Sequence, residues 1–412
     1  MFSSSSKLQR RANDKMGKKS QLFHATDFES LMYPSFTFCY ILGIFPYKIN
    51  SLVFETSTPR YILSTIIICV CLISLLYILY IIDISGSEYE DVPRILDRNC
   101  FYILSSFIAI VTYILSGPRM RLLQTLKKIS LKLPSESYQK LSKFIHAKDV
   151  LGFFFLLMEV PIYFNLNIHI LMKIFVIYVT QMMFHMDMLY MNCVCIIKAC
   201  FKRINDNLEN MREYTMDNEV HHLGRMCYKK RSSFLLIQVK ELRKQHMMIS
   251  NTVQMLNMIF SLQLLATIIM TFIQITFELY FYILYWQRNI VMLKVNNFYS
   301  LFLKMSIIYY SIKIMLMVWA CETGKNQAQQ IGITVHDILN SVNDKKIKSE
   351  LQLFSLQIMH CDNTFSAKGL TMDAKLLTAI VGNIGTYLLI LMQFLNMKYY
   401  CDEEITTNTT HA

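Results

Sequence analysis

Seven runs in this sequence stay apolar for long enough to cross a bilayer as helices: Tyr61–Ile82, Phe101–Leu115, Val150–Asn167, Leu171–Ile197, Met255–Tyr285, Tyr299–Ala320 and Leu376–Met397. The hydrocarbon core is about 30 Å thick and takes about 20 residues of helix. A backbone inside it must satisfy its own hydrogen bonds, which leaves only helices and closed barrels. Gly (11) and Pro (7) are too scarce for turn-rich β-structure. Charged residues make up 17% of the chain, against about 25% in a soluble domain, so much of the surface does not face water. The expected fold class is all-α, a seven-transmembrane helical bundle. The Phe101 run is the shortest, and its span is expected to begin a little earlier.

An eighth apolar stretch, Leu31–Tyr47, is shorter and interrupted by Pro34 and Pro46. Proline in a helix interior removes a hydrogen bond and clashes with the preceding turn, so it is tolerated only near the ends. A Thr26-x-x-Glu29 pattern ahead of it reads as a capping box. This stretch is expected to lie on, or dip into, the inner leaflet. A full crossing would change the parity of the topology.

Charge sets the orientation. Arg119–Lys148 holds eight Lys/Arg and one acid, and Lys198–Lys244 holds eleven Lys/Arg and six acids. Asp83–Arg98 holds five acids and two bases, and the end of the chain carries Asp402, Glu403 and Glu404. Lys/Arg excess marks the cytoplasmic side. With seven spans the amino terminus falls in the cytoplasm and the carboxyl terminus outside. The sequon Asn408-Thr409-Thr410 would then lie where glycosylation occurs, making Asn408 the candidate acceptor. The net charge of +12 sits in segments between apolar runs rather than as a stripe on a soluble domain, which argues against nucleic acid. The first 25 residues are polar and basic and lack a signal-peptide pattern, so insertion would use a transmembrane helix. The 11 Cys show no repeated spacing, and Cys69, Cys71, Cys193 and Cys195 read as small buried hydrophobes. Cys100 and Cys401 would share the outer side, which leaves a bridge between them open. No metal or cofactor site is expected, because His185-x-Asp187 supplies only two ligands.

The segments between spans read as long cytoplasmic helix extensions. Leu235, Ile237, Val239, Leu242, Met247 and Met248 recur among charged residues, as in a helix running into the fifth span. Ile347, Leu351, Phe354 and Ile358 fall on one helical face. Such stripes suggest packing between subunits below the membrane, with packing inside one chain as the alternative.

The last span carries the most specific signal. Thr378, Gly382, Gly385 and Thr386 are small enough for close helix contact. Asn383 and Gln393 place amides in an apolar run, where they need a partner helix or water. Thr386-Tyr387, five apolar residues and Gln393-Phe394 together resemble the signature of the insect gustatory receptor family. Phe354-Ser355-Leu356-Gln357 and Phe365-Ser366-Ala367-Lys368-Gly369-Leu370 also look like that family, as does Leu42-Gly43-Ile44-Phe45-Pro46 near the start.

The resemblance implies a ligand-gated, non-selective cation channel built from four subunits, a homotetramer or a heterotetramer with other gustatory receptors. It implies residues 1–60 as a cytoplasmic segment with a membrane-associated helix and 61–320 as six spans forming a ligand-binding bundle. Residues 321–375 would be a cytoplasmic subunit-contact segment, 376–398 a pore-lining helix and 399–412 an extracellular tail. By motif position Ile390, Gln393 and Phe394 would line the pore, with Thr386 and Tyr387 packed against neighbouring helices. A ligand pocket in the outer half of the bundle would draw on Tyr163, Tyr178, Gln181, Gln274, Glu278 and Tyr280. Glu159 and Asp187 are intramembrane carboxylates that are functional candidates by default or pair with Lys304 or Lys313. Leu388 stands where the sugar-receptor branch commonly has Glu, which turns the expected tastant towards a bitter or aversive compound. The expected location is the plasma membrane of chemosensory neurons.

The alternatives are an odorant receptor of the same superfamily or a G-protein-coupled receptor. The second needs an outside amino terminus, and neither Asp-Arg-Tyr after the third span nor Asn-Pro-x-x-Tyr in the seventh is present. No Ser/His/Asp arrangement or Gly-rich phosphate loop is visible, so the chain is not read as an enzyme.

Overall fold

The computed structural model describes residues 23–50, 53–83, 92–165, 169–216, 225–291 and 297–410. The chain opens with helix α1 (Phe28–Ile41) and a hairpin of β1 (Tyr47–Asn50) and β2 (Val53–Thr56). Helices α2 (Thr58–Asp83), α3 (Val92–Ile114), α4 (Ser116–Ser130), α5 (Ser135–Asn165), α6 (Ile170–Met216), α7 (Arg225–Val291), α8 (Asn297–Ser341) and α9 (Lys345–His360) follow. A second hairpin, β3 (Ser366–Ala367) and β4 (Leu370–Thr371), leads into the last helix, α10 (Ala374–Thr410). Glu88, Glu90, Asp91 and Asn167 lie outside the described residues, as do the side chains of Cys401 and Asn408.

Among the described residues, six helices are long and apolar enough to span: α2, α3, α6, α7, α8 and α10. The seventh apolar run sits in α5, whose 31 residues give about 46 Å of helix. Its apolar half is interrupted by Glu159 and preceded by Lys148 and Asp149. The short Phe101 run is the carboxyl-terminal part of α3, which starts nine residues earlier at Val92. The 14 residues of α1 reach about 21 Å, too short to cross.

Helix α1 is set into the bundle by local capping and by buried polar ties. Its N-cap is Asp27, whose side chain accepts from Ser30 N at 2.8 Å while the Ser30 hydroxyl bonds back. The expected Thr26/Glu29 box does not form, because Glu29 is held by Lys127 of α4 at 2.7 Å. At the other end Gly43 adopts φ +69°. Its N–H reaches Tyr40 O and the Ile44 N–H reaches Cys39 O, a Schellman stop. The Ile67 side chain lies 2.2 Å from where a Cβ at Gly43 would stand. Ser35 donates to Asp149 of α5 at 2.5 Å, and Asn192 of α6 donates to the same oxygen at 3.0 Å. Lys148 pairs with Asp149, so the charges taken into this joint are matched, while the Asn192 Oδ1 is buried without a hydrogen-bond partner among the described residues.

The middle of the bundle is α6 against α7 and α8. The most apolar 18-residue windows of α6 and α7 are 67% buried, whereas those of α2 and α10 are 17% buried. Tyr190, Phe201 and Phe260 are fully enclosed. Gly152 of α5 admits the Phe184 ring to 2.2 Å from its would-be Cβ, which sets the α5–α6 approach. Asp187 of α6 and Lys313 of α8 form an ion pair at 3.3 Å, both side chains buried.

At the basic end of the bundle α9 packs on α7 and α8. Ile347, Leu351 and Phe354 are buried there and Ile358 is partly covered by the same core. That stripe therefore belongs to the interior of one chain and not to a subunit contact, because the extended α7 and α8 reach down to meet it. The opposite side of α9 leaves Leu353, Leu356 and Met359 exposed. On α7, Leu235, Val239 and Leu242 are buried, but Ile237 and Met247 are exposed.

Candidate functional site

Two regions collect the residues that the sequence singles out. The first is α10. Leu376, Ile380 and Ile384 are buried and Leu388, Leu391 and Met392 partly so, a repeat that seats one face on α7 and α8. At about 100° per residue the opposite face carries Gly382, Thr386 and Gln393, with Ile390 and Met397 beside them. Gln393 is exposed, as are Ile390 (39%) and Phe394 (66%). A Cβ at Gly382 or Gly385 would meet nothing within 4 Å, so packing inside one chain does not call for either glycine. The Tyr387 ring meets Phe272 of α7 at 5.7 Å. Thr386, expected against a neighbouring helix, is exposed and bonds back to the Gly382 carbonyl at 3.1 Å.

The motifs upstream of α10 build its mount. Lys368 and Gly369 both have positive φ (52° and 87°), a two-residue turn of the kind that suits a tight hairpin. Asn257 of α7 donates to Thr364 O at 2.7 Å and accepts from Ser366 N at 3.2 Å. Phe365 is buried against Gly324, 2.9 Å from its would-be Cβ. Gln357 donates to Arg243 O at 3.0 Å.

The second region is a polar and aromatic cluster among α3, α5, α7 and α8. Gln274 donates to Asp97 at 2.8 Å, and the Ser306 hydroxyl bonds to Glu278. Glu278 lies within electrostatic reach of Asp97 and Glu159. Tyr163 lies within reach of Glu159, Glu278, Tyr102 and Tyr310, and its ring meets Phe302 at 5.0 Å. Glu159 Oε1 and Glu278 Oε2 are buried without a hydrogen-bond partner among the described residues. Such atoms are costly unless something supplies a donor.

Of the six residues expected to share a pocket, Tyr163, Gln274 and Glu278 come together here. Tyr280, two residues and about half a turn beyond Glu278, sits in the apolar cluster where Phe277, Phe281 and Leu303 meet Leu388, Leu391 and Met392 of α10. Tyr178 faces the other way. Its hydroxyl donates to Leu42 O at 3.1 Å, and the cavity beside it is about 20 Å³, room for one water. Gln181 is buried, its Oε1 unpartnered among the described residues. Sequence reasoning missed Asp97, Tyr102, Ser306 and Tyr310. Asp97 was counted with an acidic loop, and the others lie in apolar runs where nothing sets them apart.

Of the two carboxylates singled out as intramembrane functional candidates, Asp187 takes Lys313 as its partner. His185 stacks on Phe38 at 4.5 Å. No group of three metal-ligating side chains occurs among the described residues.

Comparison with known proteins bears on the fold and the family. Gustatory receptor 28b of Drosophila melanogaster is 31% identical over 160 residues, covering 38% of this chain and 34% of that protein. Gustatory receptor 28a of the same fly is 30% identical over 177 residues, covering 42% and 39%. The matched stretches thus span little more than a third of those relatives. The solved olfactory receptor OR5 of Machilis hrabei superposes with a TM-score of 0.65 at 12% identity, over 88% of this chain and 97% of that one. The same receptor solved in complex with eugenol superposes equally well, at 13% identity. Residues 32–397 match the family model described as 7tm chemosensory receptor. With that match running from α1 through the exposed face of α10, the chain belongs to the 7tm chemosensory receptor family.

Proposed function

We propose that this multi-pass membrane protein is a taste receptor working as a ligand-gated, non-selective cation channel, with a cytoplasmic amino terminus and an outside carboxyl terminus. The observation that carries the proposal is the bare face of α10. An apolar helix that leaves Gly382, Thr386 and Gln393 uncovered within its own chain is built to meet other copies and water at once. Four subunits, identical or mixed with other gustatory receptors, would bring Ile390, Gln393 and Phe394 around a central path. A narrow apolar ring there closes by dewetting. Asn408, in the outside segment, is the proposed glycosylation site.

The ligand is a small-molecule tastant held by the cluster around Tyr163, Gln274 and Glu278. Its unpartnered carboxylate oxygens suit a compound that brings donors. Leu388 favours a bitter or aversive compound over a sugar. Coupling to the pore runs through α7, which carries Gln274 and Glu278 towards the cluster and Phe277 and Phe281 towards α10. An odorant ligand is the second reading, favoured by the fold match to an olfactory receptor. The site of action is the plasma membrane of chemosensory neurons.

The test is to express the chain, alone and with other gustatory receptors, and record currents against bitter compounds, sugars and odorants. Gln393→Ala is expected to alter conductance or ion selectivity while surface expression stays near wild type. Unchanged currents would remove Gln393 from the pore. A tag on the amino terminus stained only after permeabilisation checks the orientation.

A further inference from the structure

A cleft at the basic end of the bundle is not used by either region above. It encloses about 300 Å³ between α4, α6 and α7, within the range of small-molecule sites. Four cations line it, Lys128 from α4, Lys132 from the turn after it, Arg203 from α6 and Lys244 from α7, against one carboxylate, Glu241. Glu241 is committed to Lys132 at 2.6 Å. Lys128, Arg203 and Lys244 make no ion pair among the described residues. Like charges from three helices are thus held around one hollow with a single carboxylate, Glu241, shared between Lys132 and Lys244.

The floor is different in kind. Ile129, Leu133, Cys200 and Ile249 line it and are buried. Arg203 lies six residues past the apolar run of α6, which ends at Ile197, and Lys244 lies eleven residues ahead of the apolar run of α7, which begins at Met255. The cleft therefore sits beyond the basic ends of both spans, within reach of a lipid headgroup or of a soluble anion. The bland alternative is a solvated basic face. It accounts for neither the enclosed volume nor the apolar floor.

We propose that this cleft binds a phosphate-bearing polyanion, with Arg203 and Lys244 as its principal contacts and Lys128 at the rim. Guanidinium takes phosphate oxygens two at a time, while ammonium acts as a point charge. The shared chemistry is a clustered phosphate monoester, from either an inositol phospholipid headgroup or a soluble polyphosphate.

The test uses the full chain purified in detergent. Binding is measured to short-chain phosphatidylinositol bisphosphate, to inositol hexakisphosphate and to short-chain phosphatidylserine. The phosphatidylinositol bisphosphate or the hexakisphosphate is expected to bind saturably and more tightly than phosphatidylserine. The double variant Arg203→Gln/Lys244→Gln should lose about tenfold or more in affinity. Two checks accompany it. Lys140→Gln/Lys143→Gln, which removes exposed charge on α5 away from the cleft, should bind as wild type. Arg203→Lys/Lys244→Arg should retain most of the affinity. Tighter binding of the lipid assigns the source to the membrane, and tighter binding of the hexakisphosphate assigns it to the cytosol. Saturable binding of neither compound, binding no tighter than that of phosphatidylserine, or an equal loss in the α5 variant overturns the proposal.

Discussion

The Asp187–Lys313 pair ties α6 to α8 at the centre of the bundle, and its removal gives a quantitative test of the packing. Both side chains are buried, at 3.3 Å. In Lys313→Met the carboxylate keeps only neutral donors, Thr267 Oγ1 at 3.2 Å and Gln263 Nε2 at 3.4 Å. Stripping one member from a buried pair costs about 3–5 kcal/mol. Unfolding entropy near 2.1 cal/mol/K per residue makes each kcal/mol worth about 1 °C in a chain of this length. The expected loss in thermal midpoint is thus about 3–6 °C for Lys313→Met. Asp187→Asn in that background keeps the shape and removes the orphaned charge, so the double variant should recover most of the loss. The assay is the thermal midpoint of detergent-solubilised full chain for wild type, both single variants and the double. If the double variant loses the sum of the two singles, the pair is not coupled and the reasoning fails.

Three further outcomes follow from local packing. Gly152→Val should destabilise the bundle by at least about 2 kcal/mol, because its side chain must displace the Phe184 ring; a wild-type thermal midpoint would contradict this. Phe354→Ala, which empties a buried site under α9, should cost about 3–5 kcal/mol and speed proteolysis of the α8–α9 junction, read by mass spectrometry of the fragments. Asp344 caps α9 through Lys346 N at 2.8 Å, and a hydrogen bond from Ser232 holds its carboxyl below the usual range. Asp344→Ala should cost about 1 kcal/mol at neutral pH. Because the folded value is depressed, that increment is present above the ordinary carboxylate value and is lost as pH falls through the lowered one. The wild-type and Asp344→Ala midpoints should therefore converge in acid, and a gap that stays constant down to pH 3 would refute the assignment.

What the sequence declared and what it withheld divide along range. The spans were readable because length and apolarity are local properties, and α5 shows the limit, with its run cut by Glu159. Pro46 was readable as an interruption of the Leu31–Tyr47 stretch, since a proline acts within a few residues, whereas the stop at Gly43 was not read and depends on its positive φ. The Thr26/Glu29 cap failed because Glu29 takes a partner 98 residues away in Lys127. The α9 stripe was correctly seen as a stripe, but periodicity cannot say what covers it, and the cover turned out to be α7 and α8. The face of α10 was legible through Gln393. The company around Glu278 was not, because Asp97, Tyr102, Ser306 and Tyr310 come from two helices and carry no common spacing.

The 67 residues of α7 make one uninterrupted helix about 100 Å long. A rod of that length is a lever. Tilting it by about three degrees where Gln274 and Glu278 sit displaces its far end, about 75 Å away, by about 4 Å. Motion too slight to notice at one end becomes a displacement the width of a side chain at the other. Gain along the rod grows with distance from Gln274 and Glu278, so a distance probe near Arg225 would read such a tilt more strongly than one near Arg243.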